Sequence, residues 1–101
     1  MTRNRMRPIH PGEILREEYL IPLAMSANQL ALHLHVPPNR ITAIANGTRA
    51  VTAETALRLS RFFRTTPDFW MNLQKTYELR QAEMDLGAEI ERQVQPQRRA
   101  G

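Results

Sequence analysis

The chain has no cysteine among its 101 residues. This excludes a disulfide framework and a thiolate zinc site, and it is compatible with a reducing compartment. No apolar run approaches the roughly 20 residues needed to span a bilayer. The opening MTRNRMRPIHPG lacks the apolar stretch of a signal peptide, so the sequence predicts a cytoplasmic protein with no membrane partner. Aromatics are scarce, six in all, and three of them crowd into Phe69, Trp70 and Tyr77. Carboxylates are missing altogether between Leu20 and Ala53, a stretch that carries Arg40 and Arg49. With a formal charge of +4, that acid-free middle marks the side that would face a polyanion. Catalysis needs a nucleophile, a base and an orienting group. Without cysteine or a glycine-rich phosphate loop, and with three histidines that lack partners, no enzyme, cofactor or small-molecule ligand is expected.

The length suits one compact domain with tails. Residues 1–8, with Arg3, Arg5 and Arg7, read as a mobile basic arm; residues 9–84 read as the folded domain, and residues 85–101 as a charged, flexible tail. Within the domain the pattern predicts an all-α architecture of five helices. The first opens at His10-Pro11-Gly12-Glu13 and runs to about Leu20, with Pro22 ending it. Ser26 caps the second, which buries Ala27, Leu30, Ala31 and Leu34. Val36-Pro37 breaks that helix, because the residue before proline is pushed out of the α region. The third helix starts at Pro37-Pro38 and closes at Asn46-Gly47. Thr52 caps a fourth to about Phe63, with Ala53, Ala56, Leu57 and Ser60 in one apolar strip that Leu59, Phe62 and Phe63 widen. Thr66-Pro67-Asp68 starts the fifth.

The third helix, PPNRITAIANG, carries the functional signal. Ile41, Ile44 and Ala45 fall on one side, and Asn39, Thr42, Ala43 and Asn46 fall at i, i+3, i+4, i+7 on the other. Small amide and hydroxyl side chains beside Arg40 suit close approach to base edges and phosphates. The same periodicity would serve an ordinary surface helix. Two helices joined by so short a turn form a helix-turn-helix unit, in which the second helix lies in the major groove. His33 and His35 do not make a metal site, since residues two apart on a helix point away from each other. Arg58, Arg61 and Arg64 on the fourth helix suit a solvated face better than a phosphate track. The aromatic stripe of the fifth helix suits core packing, with part of it available to a second copy.

In order, Gln29-Leu30-Ala31, Val36, Ile41, Ile44 and Asn46-Gly47 resemble the Cro/cI-type, or Xre-type, helix-turn-helix domain (lambda-repressor-like), here with a C-terminal helical extension. HPGEIL with EEYL, LHVPPNRI, NGTRAVTAETALRLSRFF and PDFWMNLQKTYEL resemble more closely the HigA-type antitoxins, also called the virulence-associated protein I family, over about residues 9 to 80. That resemblance implies a homodimeric, DNA-binding antitoxin that represses its own operon and neutralises a RelE-like messenger-RNA endonuclease. It assigns base reading to Asn39, Thr42 and Ala43, with Pro38 at the groove mouth, and phosphate contacts to Ser26, Asn28, Gln29, Arg40, Asn46 and Arg49. Dimerisation falls to Phe69, Trp70, Leu73 and Tyr77. A stand-alone Xre-type regulator without a toxin is the alternative reading. Two positions depart from the wider Xre pattern: His35 replaces the usual turn glycine, and Ala45 replaces an acid before the closing Asn-Gly.

Overall fold

The computed structural model describes residues 7–98. The arm residues 1–6 and the last residues of the tail, 99–101, lie outside the described part. Helix α1 (Pro11–Ile14) is capped by His10, whose Nδ1 accepts from the Gly12 N–H at 2.9 Å. It runs on as a π-helical segment over Leu15–Leu20, where the sequence predicts plain α-helix. The cause is a pair of apolar residues five apart: an i to i+5 register, seen in Ile21 N–H to Arg16 carbonyl at 3.0 Å, brings Leu15 and Leu20 to the same buried side. The chain then turns through Ile21–Ala24, with Ala24 at φ 52°.

Helix α2 (Ala27–Leu34) carries a capping box: Ser26 Oγ accepts from the Gln29 N–H, and Gln29 Oε1 accepts from the Ser26 N–H. His35 ends it in the left-handed region, φ 59° and ψ 46°, doing the work glycine usually does. Helix α3 (Pro38–Ala45) follows after two more residues and closes at Gly47, φ 82°. Helix α4 (Ala53–Phe63) is capped by Thr52 and α5 (Pro67–Gln93) by Thr66.

The core draws on every helix: Leu15, Leu30, Ile41, Ile44, Leu59 and Trp70 are all fully or almost fully buried. Trp70 sits against Tyr19 and Phe63, and its indole N–H donates to Thr65 Oγ1 at 2.8 Å. Two expectations are corrected here. Ala53 and Leu57 are exposed, whereas Ala56, Leu59 and Ser60 are buried as expected and Thr55 joins them. And α5 does not stop near Met84: residues 85–93, expected as tail, are helical, and only residues 94–98 of the described tail are not. The result is a body with a helix projecting from it, 57 × 28 × 23 Å in overall extent.

Candidate nucleic-acid interface

Helix α3 is held from behind and open in front. Ile41 and Ile44 lock it into the core, while Pro38, Asn39, Thr42 and Asn46 are exposed and Ala43 is half-buried at the edge. The 3.6-residue period thus separates the two faces as the sequence suggests. Three contacts fix its C-terminal end. The Arg16 guanidinium donates to the Ala45 carbonyl at 2.7 Å. Gly12 presses on the Ile44 carbonyl so closely that a Cβ there would lie 1.7 Å from the oxygen. Thr48 donates to the Ala43 carbonyl through both its N–H, at 2.9 Å, and its hydroxyl, at 3.1 Å. Orphan carbonyls at a helix end need such donors. Here they also set the angle at which the polar face projects.

His10 joins this backing. Its ring lies beside Gly47 and meets Tyr77 edge-on at a centroid distance of 4.9 Å. Burial pushes its pKa below the ordinary value, against the opposing effect of the Arg49 carbonyl. On the far side of the connection, the buried Gln74 of α5 accepts from the Val51 N–H at 2.8 Å.

The expected phosphate contacts divide. Ser26, Asn28, Gln29, Asn46 and Arg49 are all exposed. Ser26 and Gln29 have acceptor atoms committed to the capping box, which leaves the hydroxyl hydrogen and the side-chain amide N–H groups as outward donors. Arg40 is a correction: it does not stand free on the ridge. Its guanidinium turns to Glu54 at the start of α4 (3.5 Å), and Nη1 is buried without a hydrogen bond among the described residues. Glu54 also receives Arg58 Nε at 3.1 Å, and these two arginines, Arg58 foremost, hold its carboxyl below the usual carboxylate pKa. The stretch that is acid-free in sequence therefore has an acid folded against its edge. Arg58 is further spent on the Leu34 carbonyl at 2.8 Å, which closes α2.

The expected dimer residues divide too. Trp70 is fully buried within its own chain and cannot meet a partner, which corrects that assignment; Tyr77 is half-buried and occupied by His10. Phe69 and Leu73 instead line an open groove of about 320 Å³ with Ile9 and Ile14. His33 stacks on Phe62 at 4.8 Å, and His35 is consumed by the turn. Among the described residues no helix is long and apolar enough to cross a membrane.

The sequence reasoning gave Gly12, Arg16, Thr48 and Glu54 no role in shaping this surface. The one signal on offer was the HPGEIL run, which the chain spends on the close approach of α1 to α3.

A family model described as helix-turn-helix matches residues 15–70. The chain is 53% identical over 83 residues to virulence-associated protein I of Dichelobacter nodosus, covering 82% of this chain and 77% of that protein. Among solved structures it is similar to an addiction module antidote protein of a HigA family from Coxiella burnetii, 59% identical with a TM-score of 0.87, covering 91% of this chain and all of that one. It is similar also to the Pseudomonas aeruginosa antitoxin HigA with the higBA promoter, 43% identical with a TM-score of 0.87, covering 89% and 98%.

Proposed function

The chain belongs to the Xre-type helix-turn-helix family, on the branch of the HigA antitoxins, and from that premise we propose that it is a sequence-specific DNA-binding antitoxin of a type II toxin-antitoxin module. It acts in the cytoplasm as a homodimer, represses its own operon, and neutralises a RelE-like messenger-RNA endonuclease. The observation that carries this reading is the exposed polar face of α3, held rigidly by Arg16 and Gly12 from behind. Support comes from the antitoxin of Pseudomonas aeruginosa, whose structure includes promoter DNA.

In this reading Asn39 and Thr42 hydrogen-bond base edges, Ala43 meets a thymine methyl, and Pro38 lets the helix start sharply at the groove mouth. Ser26, Asn28, Gln29, Asn46 and Arg49 take phosphates. The two-fold of the homodimer matches a palindrome with half-sites about one helical turn apart. Arg40, tied to Glu54, serves first to brace α3 against α4 and only secondarily as a phosphate ligand.

The test uses the DNA upstream of the chain's own gene and a scrambled duplex, titrated at several salt concentrations. Asn39→Ala loses about 1–3 kcal/mol on the specific site alone. Arg49→Ala weakens both duplexes alike and lowers the salt slope by about one. Equal losses on both duplexes for both variants would contradict these roles. Co-expression with the neighbouring gene then tests the antitoxin half: operator binding without any co-purifying toxin turns the reading into a stand-alone Xre-type regulator.

A further inference from the structure

Arg40 is held in place by charge more than by hydrogen bonding. Its Nη1 lies 3.5 Å from Glu54 Oε1, yet that atom is buried with no hydrogen bond among the described residues. The other Glu54 oxygen is better matched, accepting from Arg58 Nε at 3.1 Å. Arg58 has a second anchor in the Leu34 carbonyl, at 2.8 Å. Arg40 has no such second anchor among the described residues, so once the charge on Glu54 is removed little keeps its guanidinium against α4. A buried donor without an acceptor is costly, and a phosphate oxygen offers an arginine a short, charge-assisted bond. The cation is parked beside the polar face, not satisfied there.

Position makes this pairing consequential. Residues three apart on a helix share a side, so Arg40 lies on the Ala43 edge of α3, next to the face that carries Asn39, Thr42 and Asn46. Glu54 is the first carboxylate after Glu18, and its side chain is 57% exposed. We propose that Glu54 is a specificity-determining residue of the nucleic-acid interface, acting through Arg40. It fixes α3 against α4 in the attitude that base reading requires, and it withholds one cation from the phosphates of every other sequence. The two effects point the same way. Sequence-independent binding grows with the number of phosphates neutralised, so a withheld arginine lowers it. The brace, in contrast, benefits only the complex in which α3 is seated against base edges.

This rests on the DNA-binding reading above, and the operator and scrambled duplexes test it in the full chain. Glu54→Gln keeps the side-chain shape and an acceptor for Arg58 while removing the charge. On the scrambled duplex it raises affinity about fivefold and steepens the salt slope by about one, as one added phosphate contact does. On the operator it gives no such gain, so the ratio of the two affinities falls. Arg40→Ala weakens operator binding but leaves the scrambled duplex within about twofold and its salt slope unchanged, unlike Arg49→Ala. In the combined variant the gain on scrambled DNA disappears. Circular dichroism confirms that each variant is folded at the titration temperature. Weaker binding of Glu54→Gln to both duplexes, or an equal gain on both, overturns the proposal and leaves Glu54 as a brace or a general repellent of phosphate. A gain that survives in the combined variant removes Arg40 from the account and overturns it too, as does a salt slope lowered by Arg40→Ala on scrambled DNA. In all these cases a wild-type preference for the operator keeps the DNA-binding reading standing. A wild-type chain that does not distinguish the two duplexes overturns that reading and this proposal with it.

Discussion

The back of α3 and the projecting half of α5 are opposites in construction. Behind α3, Gly12 leaves no room for a methyl group, Arg16 is committed to one carbonyl, and both isoleucines are sealed. Along α5 beyond Gln81 the side chains are almost all exposed, and the described side-chain contacts are local, such as Gln81 with Asp85 and Glu89 with Gln93. Isolated helical stretches of this length are marginal in water. The contrast separates what is locked by tertiary packing from what is not: the orientation of the polar face is built into the fold, whereas the C-terminal half of the long helix is held by local contacts alone.

The largest effect that would break this contrast is expected at Gly12. Its backbone is not in the left-handed region, so the constraint is space alone. Gly12→Ala drives a methyl into the Ile44 carbonyl, and neither backbone can yield without moving α1 off α3. A loss of about 3 kcal/mol or more in urea unfolding is expected. Ile90→Ser, on the other side of the contrast, changes the stability of the dilute chain by less than about 0.5 kcal/mol, as exposed positions do. Comparable losses at the two positions would erase the distinction.

Arg16→Met comes next. It keeps much of the aliphatic stem and removes the donor to the Ala45 carbonyl, a charge-assisted bond whose loss leaves a half-buried acceptor unsatisfied. About 1.5–3 kcal/mol of stability is at stake, read from the shift in urea midpoint. Because that bond also sets the end of α3, specific DNA binding should fall further than non-specific binding at a temperature where the variant remains folded.

The five helices were legible because their ends are written in side-chain chemistry. Ser26, Thr52 and Thr66 cap, prolines at 11, 38 and 67 start, and Gly47 stops. The polar and apolar faces of α3 followed from period alone. What escaped depends on distance in space. The π-helical segment answers to where Leu15 and Leu20 must both be buried, which no local propensity records. Arg40 looked free because its acid lies 14 positions on, at the start of α4. Phe69 and Trp70 are neighbours in one aromatic stripe, yet one opens to a groove and the other is sealed; periodicity marks the stripe without saying which edge the body covers. The charged stretch after Asp85 read as tail because almost nothing in the chain covers it, yet its residues are good helix formers linked by i, i+4 pairs such as Gln81 with Asp85 and Glu89 with Gln93.

The smallest expected effect concerns pH and tests whether His10 belongs to the backing of α3. Its imidazole accepts the Gly12 N–H at Nδ1, which it can do only with that nitrogen unprotonated, so the cap is lost in the doubly protonated form. Burial lowers its pKa in the folded chain from the ordinary value of about 6.5. The unfolded chain therefore binds the proton more readily, and the contribution of His10 is fully present above about 6.5 and is lost as pH falls through the folded value. Glu13 and Glu54 have lowered carboxyl pKa values and act in a separate, more acidic window. His10→Asn keeps a side-chain acceptor for the cap and cannot titrate. Urea midpoints compared between about pH 7.5 and 5.5 should then fall more steeply for the wild type than for His10→Asn. Parallel slopes would mean that protonation costs nothing at this position, and that the ring merely rests against Gly47 and Tyr77 without holding the end of α3 in place.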